Sequence, residues 1–258
     1  MRIAIVTGAS SGLGREYVLE INRREHSLEE IWVIARRAEL LEKLRELSAV
    51  PLRCFPMDLT DPRNIAAFQR ELEAAHPLVT ILINAAGFGK IGDYSAVGIP
   101  ESNKMIDLNC KAAVDLTYLC LPYMERGSQI MQICSTAGFQ PFQYLNIYAA
   151  SKAFLYRFSR ALRVELFSRG IKVTAVCPYW IRDTEFIPVA STAEQGRKSI
   201  RHFPLSSKTA SVVRISYFTS RLGLPVSTPG IVCTLHWIAG KILPSDLLMG
   251  IWAILRRV

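Results

Sequence analysis

The stretch RIAIVTGASSGLGREYVLEINRR, residues 2–24, carries three signals in succession. Residues 2–7 form an unbroken apolar, β-branched run, the pattern of a strand covered on both faces. Glycines at 8, 12 and 14 then interrupt it, in a G-x-x-x-G-x-G spacing rather than the commoner G-x-G-x-x-G. From Gly12 to Arg24 the apolar positions recur at helical period. A strand that turns through glycines into a helix offers free backbone N–H groups and the positive end of the helix dipole. The missing side chains let a phosphate approach the main chain. The unit reads as a phosphate-cradling βα turn at the carboxyl end of the first strand of an α/β sheet.

Working outward, the same alternation continues. Buried-strand patterns are predicted at 31–35 (IWVIA), 52–57 (LRCFPM), 79–85 (VTILINA), 129–135 (QIMQICS) and 172–178 (KVTAVCP). Amphipathic helices are predicted between them at 38–48, 62–75, 101–125 and 146–169. Continuous apolar strands joined by helical crossovers imply a parallel sheet with helices on both faces, and right-handed crossovers narrow the topology. After Pro178 the periodicity loosens. A helix near 208–222, a short strand near LPVST (224–228) and two apolar helical pieces close the chain. The expectation is one α/β domain over 1–258, a Rossmann-type doubly wound parallel sheet of about seven strands. Residues 179–258 form a substrate-side lobe within it.

Composition supports a soluble enzyme-sized domain: 258 residues, half of them apolar. The net charge is +9, but the basic residues are dispersed rather than clustered, which argues against nucleic-acid binding. The six cysteines show no C-x-x-C pair, and with four histidines they offer no metal pattern. No signal peptide is visible at MRIAIVTG. The apolar segment Ile231 to Leu243 is broken by His236 and Lys241 before Pro244, so no membrane-spanning helix is expected. The expected compartment is a reducing cytoplasm.

The second strand discriminates between dinucleotides. An acid at its end would bind a ribose 2′-hydroxyl. Here the strand ends VIARR: Ala35 stands where the acid would sit, and Arg36 and Arg37 follow. Guanidinium forks match phosphate geometry, so NADP(H) is the expected cofactor. Further along, YAASK places Tyr148 and Lys152 four residues apart on one helix face, both directed at one object.

Taken together, TGASSGLG (7–14), DLT (58–60), NAAG (84–87), NCKAA from Asn109, ICS ending at Ser135 and the Tyr148/Lys152 pair resemble the short-chain dehydrogenase/reductase family. They stand in the family's order over residues 2–178, and the tail is most like its bacterial 3-oxoacyl and hydroxysteroid-type reductases. The resemblance implies catalytic roles for Asn109, Ser135, Tyr148 and Lys152. Ser135 would hold the substrate oxygen, Tyr148 would exchange its proton, and Lys152 would grip the nicotinamide ribose. Asn109 would hold a water or a helix distortion leading protons to Lys152. It further implies cofactor contacts from Gly8, Ser10, Ser11, Gly12, Leu13 and Gly14, from Asp58 and Leu59 at the adenine, and from Asn84, Ala85, Ala86 and Gly87. Pro178, Ile181 and Thr184 complete that set. The chemistry requires these types: hydride delivery to a ketone leaves charge on oxygen, a phenol alone is a poor proton exchanger near neutrality, and a nearby ammonium favours the phenolate.

One segment departs from the family. Pro-Gly is usual after the sixth strand, with a threonine five residues after the proline; here CPYWIRDTEF has Tyr179 for the glycine, Asp183 in the threonine's place and Thr184 one residue late. Tyrosine resists a positive φ, so a different backbone path is expected. Tyr179, Trp180 and Phe186, with Phe139, Phe142 and Tyr144, suggest an apolar pocket for a hydrophobic ketone or alcohol. The same rings serve equally well as packing between lobes. The resemblance also implies a homodimer or homotetramer built on helices near 101–125 and 146–169. The tail, DLLMGIWAILRRV, is expected to pack on its own domain or a partner subunit. Membrane contact with Trp252, Arg256 and Arg257 at the interface is the less favoured reading. Three rival functions stay open: a 3-oxoacyl thioester reductase with Arg201 or Lys208 on a carrier phosphate, a non-catalytic NADPH-binding regulator, and a membrane-bound lipid ketone reductase.

Overall fold

The computed structural model describes residues 1–193, 200 and 205–256. Arg201 and Arg257 therefore lie outside the described residues. Strands β1 (Arg2–Thr7), β2 (Glu30–Ala35), β3 (Leu52–Pro56), β4 (Leu78–Asn84), β5 (Gln129–Ile133), β6 (Lys172–Val176) and β7 (Val226–Ser227) form one sheet in the order β3-β2-β1-β4-β5-β6-β7. Every pairing is parallel. The chain winds from β1 outward to β3, then returns across β1 to β4, so the order reverses between β1 and β4. Ligands of such sheets bind outside the carboxyl ends at that reversal. Thr7 ties the two ends together: its Oγ1 accepts the N–H groups of Ala85 and Ala86, each at 3.0 Å.

The unbroken apolar runs are explained by helices on both faces. Alternate residues of β1 face opposite ways: Ala4 and Val6 meet Tyr17, Val18 and Ile21 of α1 (Gly12–Arg24), Leu41 and Leu44 of α2 (Ala38–Arg45), and Val213 and Tyr217 of α8 (Thr209–Arg221). Ile3 and Ile5 meet Phe68 and Leu72 of α3 (Pro62–Ala75), Leu116 of α5 (Ala112–Cys120) and Leu162 of α6 (Asn146–Glu165). All of these are buried, so a polar residue at either parity of β1 would sit in a core.

The single helix predicted over 101–125 is instead several pieces. It begins earlier, as α4 (Tyr94–Ile106), where Asp93 accepts the N–H groups of Ser95 and Ala96. It breaks at Gly98 (φ 65°, ψ 172°) ahead of Pro100, whose ring cannot sit within a helix interior. A π-helical turn over Asp107–Lys111 then leads into α5, and a 3-10 turn at Leu121–Tyr123 ends the segment. The predicted strands at 129–135 and 172–178 stop at Ile133 and Val176, and Cys134, Ser135 and Pro178 beyond them line the cleft above the sheet.

Beyond α7 (Phe186–Ala190), α9 (Ile231–Ile242) and α10 (Ser245–Leu255) pack on the segment 139–145. Trp252 faces inward, 4.9 Å from the Phe142 ring, with its Nε1–H on the Gln143 carbonyl at 3.3 Å. The indole thus packs on its own domain. Ile231, Leu235, Ile238 and Ile242 of α9, Leu243 between the helices, and Leu247, Ile251, Ile254 and Leu255 of α10 are the exposed large apolar residues of this hairpin. Among the described residues no helix is long and apolar enough to cross a membrane.

His236 on α9 stands 2.9 Å from Gln140 Oε1, edge-on to Phe139 and Phe142, and burial pushes its pKa down to about 4. Protonation therefore favours the unfolded chain, where the imidazole titrates near 6.5. The contribution is complete above pH 6.5 and is lost as the pH falls toward 4. Thermal melts across that range should show declining stability, and His236→Gln should flatten the decline. An equal decline in the variant would rule His236 out as its source.

Candidate active site

A cleft of about 410 Å³ opens over the carboxyl ends of β1, β4 and β5. Its floor is the glycine turn. Gly8 (φ 67°) and Gly12 (φ 53°) hold left-handed conformations that side chains resist. Gly14 is needed for a different reason: a Cβ there would lie 2.3 Å from the Gly8 carbonyl oxygen, so α1 and the turn touch backbone to backbone. A Cβ on Gly8 would likewise meet the backbone of Ala86 at 2.9 Å. Ser10, Ser11 and Leu13 line the cleft with these glycines, as do Asp58, Leu59, Ala85, Ala86 and Gly87. Asp58 Oδ1 accepts the N–H and hydroxyl of Thr60, which fixes the turn after β3.

Asn84 stands apart. It is buried under the cleft and donates to Thr117 Oγ1 (3.0 Å) and the Ala113 carbonyl (3.3 Å), bonding β4 to α5. The two arginines both line the cleft but point differently. Arg36 extends into solvent, its Nη1 4.0 Å from Asp58 Oδ2, whereas Arg37 folds over the glycine turn and donates to Ser11 Oγ at 2.7 Å.

Tyr148 and Lys152 lie on the buried face of α6, at 7% and 5% exposure. Gly138 brings that helix close: a Cβ there would meet the Lys152 carbonyl oxygen at 2.8 Å. Lys152 Nζ is 5.8 Å from the Tyr148 ring centre and donates to the Ile133 carbonyl at 2.8 Å. Ser135, just beyond β5, lowers the Tyr148 phenol's pKa, and its Oγ accepts the Ala137 N–H at 3.1 Å. Burial holds the Tyr148 phenol well above its ordinary pKa against the lowering effect of Ser135, and burial draws the Lys152 ammonium down. A serine hydroxyl, a phenol and an amine thus share one wall of the cleft, above the glycine turn that forms its floor.

Asn109 does not line this wall; it braces it. Its Oδ1 accepts the Phe88 N–H (3.0 Å), and its Nδ2 donates to the Phe88 carbonyl (2.9 Å) and to Ser151 Oγ (3.0 Å). Ser151 in turn donates to the Tyr148 carbonyl at 2.7 Å. The π-helical turn carries Asn109, so the helix distortion expected at this residue is present.

Pro178, Ile181 and Thr184 line the far side, and Tyr179 holds no positive φ. Asp183 turns away and accepts the N–H (2.9 Å) and hydroxyl (2.8 Å) of Thr209, capping α8. Phe142, Tyr179, Trp180 and Phe186 line the cleft, with the Phe186 ring 5.3 Å from that of Tyr148. Phe139 and Tyr144 do not. Phe139 packs on Tyr156 and Gly240, while Tyr144, at φ 65°, lies under the Arg256 guanidinium. Lys208 sits at the start of α8, outside the lining. Phe88, Leu145, Glu185 and Val189 line the cleft without any local sequence signal, each being brought there by tertiary packing. All six cysteines are free, and among the described residues no group of His, Cys, Asp and Glu is arranged to hold a metal.

Comparison with known proteins agrees with this geometry. The family profile described as short chain dehydrogenase matches residues 2–195. Sulfoacetaldehyde reductase 2 of Chromohalobacter salexigens is 30% identical over 226 residues, 85% of this chain and 88% of that protein. A short-chain dehydrogenase from Sphingobium yanoikuyae, solved in complex with NADPH, superposes with a TM-score of 0.78 at 28% identity, covering 96% of this chain and 95% of the other. The bulky-bulky ketone specific alcohol dehydrogenase of Comamonas testosteroni gives a TM-score of 0.75 at 25% identity, covering 96% and 94%.

Proposed function

The chain belongs to the short-chain dehydrogenase family, and from that premise we propose that it is an NADP(H)-dependent oxidoreductase interconverting a bulky hydrophobic ketone and its secondary alcohol. The observation that carries the reading is the convergence of Ser135, Tyr148 and Lys152 on one cleft wall, facing a turn whose Gly8 and Gly14 leave no room for a Cβ. The cradle fits a dinucleotide: without side chains at 8, 12 and 14 its main chain is open to a phosphate, and Arg37 presents its fork beside Ser10 and Ser11. The nicotinamide supplies or accepts the hydride.

The protein's own share is position and proton handling. Ser135 holds the substrate oxygen, and the Tyr148 hydroxyl releases its proton to that oxygen as charge develops. Burial keeps Tyr148 protonated, which suits it to act as the acid in reduction. Lys152, fixed by the Ile133 carbonyl, supplies the positive charge that stabilises the phenolate left behind. Asn109 holds the Phe88 loop and, through Ser151, the turn of α6 that separates Tyr148 from Lys152. The rings of Phe142, Tyr179, Trp180 and Phe186 give the substrate side an apolar wall, which supports a bulky ketone over a sugar. The likeness to a bulky-ketone alcohol dehydrogenase points the same way.

The test is a screen of NADPH and NADH oxidation against steroid, aryl and 3-oxoacyl ketones. The expected result is turnover of an aryl or steroid ketone with NADPH preferred. Selective turnover of 3-oxoacyl thioesters would move the substrate class, and binding of NADPH with no turnover of any ketone would favour a regulator. We further propose cytoplasmic residence and self-association through α5 and α6, whose Tyr118, Phe154 and Val164 are exposed. Light scattering should give a multiple of 28.9 kDa, and a monomer would refute self-association.

A further inference from the structure

Arg37 is committed on two sides at once. Its Nη2 donates to Ser11 Oγ (2.7 Å) and Ser10 Oγ (3.2 Å), which lays the guanidinium over the glycine turn. The outer edge of the same fork is taken by Glu185, with Nη1 to Oε1 at 3.1 Å and Nη2 to Oε2 at 2.9 Å. Two parallel N–H···O bonds are the geometry in which a guanidinium grips a phosphate. A carboxylate from the substrate-side lobe therefore occupies the fork that the sequence assigns to a 2′-phosphate.

Glu185 immediately precedes α7, and α7 forms part of the wall over the candidate catalytic tyrosine. Phe186 lies 5.3 Å from the Tyr148 ring, and Val189 also lines the cleft. The far end of α7 is held independently: the Ala190 carbonyl accepts the Ile91 N–H at 2.8 Å, and the Val189 carbonyl accepts from Lys90 Nζ at 3.2 Å. The near end is tied to the cofactor rim by the Arg37–Glu185 pair. Both side chains are partly open to solvent, at 40% and 57% exposure, so a solute phosphate can reach them. The arginine holds the Glu185 carboxyl below its ordinary pKa, which keeps it ionised near neutrality.

We propose that Glu185 competes with the 2′-phosphate of the dinucleotide for the Arg37 fork, so that arrival of this phosphate frees the near end of α7 and couples cofactor identity to the substrate wall. The inference rests on the NADP(H) reading given above. A phosphate entering the fork meets a carboxylate of like charge within bonding distance, and the weaker anion gives way. A dinucleotide without that phosphate leaves the pair intact. Glu185 is thus a specificity-determining residue that lowers affinity for the phosphorylated cofactor.

Adenosine 2′,5′-bisphosphate and 5′-AMP isolate the phosphate from nicotinamide chemistry, and calorimetry gives their affinities for wild type, Glu185→Gln and Arg37→Gln. The expected result is bisphosphate bound about three- to fivefold more tightly by Glu185→Gln, the scale of one exposed ion pair, with AMP unchanged. Hydrogen exchange at the amides of 186–190 should rise in wild type with bisphosphate but not with AMP, and should already be raised in unliganded Glu185→Gln. Equal or weaker bisphosphate binding by Glu185→Gln, while Arg37→Gln still loses the preference for it, would overturn the competition and leave the cofactor reading standing. Equal binding of both probes by wild type, unchanged in Arg37→Gln, would overturn both.

Discussion

Lys152→Met will lower turnover by about 10²–10³-fold and displace the pH dependence of alcohol oxidation toward higher pH. Methionine keeps the apolar stem of the side chain and removes the ammonium, with its charge and its donor. In oxidation Tyr148 must act as a phenolate, and burial already opposes that form. The Lys152 ammonium, 5.8 Å from the ring centre, is the cation placed to favour it, so its loss raises the pH at which the rate climbs. The buried Ile133 carbonyl also loses its 2.8 Å donor, which predicts a modest fall in melting temperature. A pH–rate profile of unchanged position would show that the lysine does not tune the tyrosine.

Gly14→Ala is the second large effect. Its Cβ would meet the Gly8 carbonyl oxygen at 2.3 Å and the Thr7 carbonyl oxygen at 2.9 Å, and both are backbone atoms that no rotamer change can move aside. Either α1 shifts away from the turn or the turn opens. The expected cost is about 1–3 kcal/mol of stability, the scale of an overpacked core site. Because the displaced atoms form the cradle itself, NADPH affinity should fall by about 10–100-fold. Thermal melts and fluorescence titration read the two effects separately. By contrast Gly12→Ala meets only the Thr184 side chain, at 3.5 Å, so its cost arises from the positive φ and should be smaller.

The outline of this fold was legible because its signals are local. Gly12–Arg24 and Pro62–Ala75 have the predicted bounds, since a glycine turn and an Asp-Pro start are written in adjacent residues. The helix predicted at 101–125 starts earlier and breaks at Gly98 ahead of Pro100, and its π-helical turn carries Asn109, whose partners Phe88 and Ser151 are distant in sequence. The site divides in the same way. Ser135, Tyr148 and Lys152 stand together on the cleft, as the family resemblance implied. Phe139 and Tyr144 were assigned to the pocket on residue type alone, and their neighbours Tyr156 and Arg256 engage them elsewhere. Glu185 carried no local signal, because its meaning comes from an arginine 148 positions away.

The central claim is that Tyr148 transfers the proton. Its most direct test is NADPH oxidation by wild type and Tyr148→Phe with the same bulky ketone, at cofactor concentrations that saturate each. Phenylalanine keeps the ring against Phe186 and removes only the hydroxyl. We predict an unchanged fold and cofactor affinity, with turnover lowered by about 10²–10⁴-fold. Turnover equal to wild type would contradict the account.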